Sequence, residues 1–198
     1  MNQDDWYVPV TLLPQLPPPP KEFQIPNPTD LLLDNGTTIH QVGTYYQMNM
    51  LKDSKLVKCC KPASVKLSES CVAWITENIV SSFINARLNY YIPQEDTCDS
   101  IGIHTDMRGD YALLYNLDTG GPNAKLTIWQ EPDYPLIREK ALVREDPALL
   151  DRIAEFIGPN NCWYLINLQA LHSVENIIRP RINIQIKLEN QHVQLIKI

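Results

Sequence analysis

The segment Arg181-Ile182-Asn183-Ile184-Gln185-Ile186-Lys187-Leu188 alternates without a break: every even position is aliphatic and every odd position is polar. Side chains return to the same side at every second residue only in an extended chain, so this stretch reads as a strand with one face in an apolar layer. It is the last of a series of short runs that begin after position 87. The others are Leu88 to Ile92, Ser100 to His104, Tyr111 to Leu117, Lys125 to Glu131, Cys162 to Leu168 and Leu171 to Asn176. Turn signals such as Asp118-Thr119-Gly120-Gly121 separate them. Short strands punctuated in this way indicate a mainly β architecture, an antiparallel sandwich or barrel with flanking helices.

Two segments carry a helical period instead. Over residues 66–86, Leu67, Cys71, Ile75, Ile79 and Phe83 recur at every fourth position, with Val72, Val80 and Ile84 beside them, a stripe suited to packing on a sheet. Over residues 146–157, Asp146 is a natural N-cap, Pro147 suits the first helical position, and Leu149, Leu150, Ile153, Phe156 and Ile157 supply the apolar face before Gly158-Pro159. Gly43 to Leu51 reads as a short strand. Eight of the 16 prolines fall within the first 28 residues, Pro17 to Pro20 among them. A polyproline II rod is expected there. Residues 1–30 are therefore read as an extended arm lying over residues 31–198, a single domain, with Trp6, Tyr7, Leu12 and Leu13 as anchors. Such an apolar arm also suits a homodimer.

Charge and cysteine content narrow the function classes. With 17 Lys and Arg against 23 Asp and Glu, the net charge is −6, and there is no basic run. The electrostatic footprint of a general nucleic-acid binder is missing. The five cysteines are an odd number without C-x-x-C spacing, as expected for free thiols in a reducing compartment. The start MNQDDWYVPV has acids where a secretory signal needs a basic stretch, and no apolar run approaches a membrane span. These features point to a cytoplasmic protein.

One constellation carries chemistry. His104-Thr105-Asp106 closes a strand, and in an extended chain residues two apart project to one side, so His104 and Asp106 can converge. The run Trp163 to Leu168 leads into His172, which opens another strand. Two imidazoles and one carboxylate form the facial set that binds non-haem Fe(II) with open coordination positions. His-x-Asp alone is common by chance; its order with a later His and an Arg on the final strand gives it weight. On that strand, Arg181, Asn183 and Gln185 turn to the face opposite the isoleucines, an expensive place for a charge without a partner. His40 and His192 have no matching partners and read as structural or exposed.

Through IGIHTDMRGDYALLYNL, LTIWQE and WYLINLQALHSVENIIRPRINIQIKL, the chain resembles the Fe(II)/2-oxoglutarate-dependent dioxygenases of the double-stranded β-helix, or jelly-roll, fold. The resemblance runs from roughly Ser100 to Leu188. It implies His104, Asp106 and His172 as metal ligands, and Arg181 as the residue that grips the distal carboxylate of 2-oxoglutarate. Arg179, seven residues after His172 rather than nine, is the competitor. Asn183 would add a polar contact, Tyr115 or Asn116 would hydrogen-bond the cosubstrate, and Val174 would wall the metal. Trp129 and Arg108 are candidates for lining the substrate pocket, with strand packing and surface charge as the simpler readings. The implied reaction consumes dioxygen and 2-oxoglutarate and hydroxylates an unactivated C–H bond of a small molecule, free amino acid or peptide side chain. Asp106 argues against halogenation, because halogenating relatives replace this carboxylate. Two other readings stay open: a cupin-like metalloenzyme without 2-oxoglutarate, and a non-catalytic jelly-roll binding module.

Overall fold

The computed structural model describes residues 9–23, 60–93, 100–106, 109–133, 143–144 and 146–198. The expected strand at Gly43 to Leu51 and the anchors Trp6 and Tyr7 lie outside them. The strands are β1 (Val10–Leu13), β2 (Cys60–Lys66), β3 (Asn85–Pro93), β4 (Ile101–His104), β5 (Tyr111–Thr119), β6 (Lys125–Gln130), β7 (Val143–Arg144), β8 (Asp151–Phe156), β9 (Trp163–Asn167), β10 (Leu171–Glu175) and β11 (Arg181–Leu188). A helix α1 (Glu69–Asn78) precedes β3, and a one-turn helix α2 (Asn190–Val193) follows β11.

The strand order explains the architecture. The large sheet runs β1-β9-β5-β11-β3-β2 and the small sheet β7-β4-β10-β6-β8. The antiparallel pairs β6 with β8, β5 with β9, β4 with β10 and β3 with β11 are nested, and successive pairs alternate between the sheets. A two-stranded ribbon is thus wound between two sheets, which is the double-stranded β-helix. Each strand has an inner and an outer face. On β5, Leu113 and Tyr115 enter the outer layer and Ala112 and Leu114 the interior. On β9, Trp163 and Leu165 go outward and Tyr164 and Ile166 inward.

The outer layer gathers Cys71 and Ile75 of α1, the isoleucines of β11, and Leu13 and Leu16. Burial pushes the Cys71 thiol up to about 11, so it is an inert packing group. Residues 9–23 run over this layer. β1 pairs with β9, Trp163 Nε1 donates to the Pro17 carbonyl at 2.9 Å, and Phe23 meets Trp74 edge to face at 6.1 Å. Among the described residues, no helix is long and apolar enough to cross a membrane.

Both expected helices need correction. The first is real but spans only Glu69–Asn78. Ser68 caps it, accepting from Cys71 N at 3.2 Å, and the β-branched pair Ile79-Val80 with Ser81-Ser82 then favours other backbone states. The freed N–H groups find partners elsewhere: Ser81 N bonds to Leu195 O and Ile84 N to Lys187 O. The second, over 146–157, does not form. Asp146 does cap a turn, accepting from Ala148 N at 2.9 Å, but that turn ends at Leu149 and residues Asp151–Phe156 become β8. The edge of β6 offers this segment a full ladder, and tertiary pairing outweighs local helix preference. Of the apolar face read there, Leu149, Ile153 and Ile157 remain exposed while Leu150 is buried.

Substitutions separate the two segments. Ile75→Ala, at a buried site between α1 and the large sheet, is expected to cost about 2–5 kcal/mol in urea denaturation. Ile153→Ala, on the exposed edge strand, is expected to cost less than about 0.5 kcal/mol.

Candidate metal centre

The register of β4 against β10 sets His104 directly opposite His172. Their ring centroids are 4.5 Å apart. Asp106 follows two residues beyond the end of β4, anchored by its N–H to Leu168 O at 3.0 Å. One donor atom from each of His104, Asp106 and His172 lies within 4.8 Å of the others. Two metal–ligand bonds of about 2.1 Å placed end to end reach about 4.2 Å, so a small tightening would let one ion meet all three.

The tautomers are also prepared. Gly102 O accepts from His104 Nδ1 at 2.7 Å, and Ala170 O accepts from His172 Nδ1 at 2.9 Å. A carbonyl can only accept, so Nδ1 carries the proton in both rings and each Nε2 keeps a lone pair for a metal. The third donor is shared: Lys187 Nζ donates to Asp106 Oδ1 at 3.1 Å. Burial and then the neighbouring His104 lower the pKa of His172 from 6.5 to about 4, against the pull of Asp106. Burial alone would raise Asp106. The Lys187 ammonium and the two imidazoles outweigh it and hold the carboxyl below its ordinary value. Both groups are therefore deprotonated near neutrality, the state a metal requires. The chemistry of the donor set fits a divalent first-row ion.

The other end of the interior holds Arg181, only 5% exposed. Its Nη1 donates to Thr119 O at 3.1 Å, and its Nη2 donates to Tyr164 Oη at 3.0 Å and Asn116 Oδ1 at 3.3 Å. All three partners are neutral, and no carboxylate among the described residues pairs with it. Arg179 is exposed and pairs with Asp118 at 3.1 Å. Gly120 permits this arrangement, because a Cβ there would sit 3.0 Å from Arg181 Cβ, at a backbone φ of 88°. Asn183 is buried on the same face, accepting a long bond of 3.5 Å from Asn89 Nδ2. Val174 packs in the interior two residues beyond His172.

Two expectations change. Tyr115 does not face the interior: it stacks on Trp163 at 5.0 Å in the outer layer, and its neighbour Asn116 is the residue that reaches Arg181. The period of two puts adjacent residues on opposite faces, so only one of the pair could serve. Trp129 lies on the outer face of the small sheet, donating to Ser173 Oγ at 2.8 Å with Arg152 stacked 4.9 Å above it. His192 takes a structural place, as expected: in α2 it accepts from Glu189 N. Arg108 and His40 lie outside the described residues. Sequence reading missed Tyr164 and Lys187. Lys187 was findable, since it continues the inward row of Arg181, Asn183 and Gln185.

No protein-family model matches the chain. No curated protein matches it either. Among solved structures, a tryptophan-to-tyrosine variant of oxalate decarboxylase from Bacillus subtilis is 14% identical over 71% of this chain and 29% of its own, with a TM-score of 0.36. A serine-to-alanine variant of the same enzyme is 15% identical over 68% and 27%, also at 0.36. A third structure, a study of the Mn(II) centres of that decarboxylase, gives 15%, 67%, 26% and 0.36. This chain spans less than a third of the chains it matches. Scores this low carry no argument about chemistry, and the strand order alone carries the fold.

Proton linkage at the cluster can be measured. The unfolded chain protonates a free histidine near 6.5, whereas His172 in the fold resists until about 4, so falling pH favours the unfolded state between those values. In the presence of a chelator, the urea midpoint is expected to fall as pH drops from about 6.5 towards about 4. His172→Gln, which cannot titrate, should flatten that part of the profile; an unchanged slope would contradict the burial of a neutral imidazole.

Proposed function

We propose that this chain is an Fe(II)- and 2-oxoglutarate-dependent oxygenase that hydroxylates an unactivated C–H bond of a small molecule or amino-acid side chain. The observation that carries the reading is Arg181. A guanidinium has five N–H donors, and among the described residues neutral partners take up three of them and no carboxylate pairs with it. A buried cation without a counter-charge is costly, and an incoming carboxylate removes that cost. The same interior holds the two-His, one-Asp cluster, so a dicarboxylate with a keto acid at its other end suits both ends of it.

When bound, Fe(II) with 2-oxoglutarate supplies the oxidising chemistry: dioxygen is reduced, the cosubstrate loses CO2 to become succinate, and one oxygen atom enters the substrate C–H bond. The chain's own part is binding and exclusion. His104 and His172 offer Nε2, and Asp106 offers the oxygen that Lys187 does not hold. Tyr164, Asn116 and the Thr119 carbonyl fix the guanidinium plane. Leu126, Ile128 and Val174 keep the ligand end apolar, which strengthens each charge interaction inside.

Anaerobic addition of Fe(II) and then 2-oxoglutarate is expected to produce a weak visible charge-transfer band. Asp106→Ala should abolish the band along with metal binding. Arg181→Ala should keep metal affinity and weaken the cosubstrate titration by about 10²-fold or more, on the scale of a lost charge-assisted pair. Metal binding without any band in the wild type would instead favour the cupin-like metalloenzyme, and no metal binding at all would favour a binding module.

A further inference from the structure

Two cations face the interior from β11, six residues apart, and only one of them has the role described above. Lys187 is 16% exposed and Asp106 24%, and their ion pair measures 3.1 Å. Among the described residues, Asp106 Oδ1 is the one side-chain partner of Lys187. The lysine thus sits on a carboxylate that the metal cluster also needs, at the opposite end of the inward row from Arg181.

We propose that Lys187 is a positioning residue for this centre: its ammonium holds Oδ1 of Asp106, so the carboxylate meets a metal through Oδ2 alone. This rests on the reading of His104, Asp106 and His172 as a metal site, and it adds a division of labour between the carboxylate oxygens. A carboxylate free at both oxygens can chelate an ion with both and fill an extra coordination position. Tying one oxygen to Lys187 preserves that position for a ligand that binds through two atoms. The ammonium also repels the ion and attracts an anionic ligand, so it lowers affinity for the bare metal and raises affinity for the anion that follows.

Those two effects have opposite signs, which a merely structural lysine would not produce. In Lys187→Met, Co(II) titrated alone is expected to bind about tenfold more tightly, while 2-oxoglutarate binds the Co(II) protein about tenfold more weakly, the scale of one unit charge across a partly screened site. Lys187→Arg, which keeps a donor and the charge, should return both constants toward the wild type. Unchanged constants in Lys187→Met would overturn the assignment, as would a joint loss of both affinities accompanied by a lower melting temperature. Failure of the wild type to bind Co(II) would sink the metal-site reading itself. Co(II) binding without 2-oxoglutarate binding would sink only the cosubstrate, with tighter Co(II) binding in Lys187→Met still supporting Lys187 and unchanged binding overturning it.

Discussion

The register that sets His104 of β4 against His172 of β10 is what the centre depends on. His104 and His172 come from strands separated by more than half a barrel's worth of chain, and only their direct opposition brings the two rings together. A slip of one residue would turn one imidazole to the outer face and replace it with Ile103 or Leu171. Those two side chains resist the slip, because they already pack with Trp129 and Leu150 on the outer face of the small sheet. The apolar cluster on one side of the sheet therefore specifies the position of the polar pair on the other.

Charge within the barrel obeys a similar logic. Arg181 and Lys187 are at opposite ends of one strand face, about 20 Å apart along the backbone at about 3.3 Å per residue. Among the described residues, Lys187 has a carboxylate partner and Arg181 has none. An interior evolved for stability alone would gain from an apolar residue at 181, since neutral hydrogen bonds do not repay the desolvation of a guanidinium. The proposed roles would account for the asymmetry: one cation holding an oxygen of Asp106, the other left to an incoming carboxylate.

The β architecture was legible because its signal is local: strict alternation in β11 and the turn residues between the other runs. The cluster was legible because H-x-D needs only the period of two. What failed was whatever a neighbouring strand decides. Asp146, Pro147 and the spaced apolar residues through Ile157 are sound helix signals, and the cap formed, yet the free edge of β6 took the following six residues. The choice between Tyr115 and Asn116 depended on which face of β5 looks inward, and both faces of that strand are buried, so composition could not separate them. The inward row marked Lys187 as facing the interior, but its partner Asp106, from a loop some 80 residues earlier, is set by the fold alone.

The same period of two links the proline-rich arm to the anchor at Arg181. On β9, Trp163 points outward and takes the carbonyl of Pro17, while the next residue, Tyr164, points inward and holds the guanidinium. On β5, Tyr115 points outward against Trp163, and Asn116 points inward to the same guanidinium. A strand cannot shift one of these residues without shifting its neighbour. The arm reaches this site through the ladder: Leu12 of β1 pairs with Tyr164 of β9, and Leu13 and Leu16 pack in the layer that holds Trp163 and Tyr115. Precision at a binding residue comes from the packing of whatever supports it, and here that support runs through the sheet by way of Trp163, which donates to the Pro17 carbonyl on its outer side.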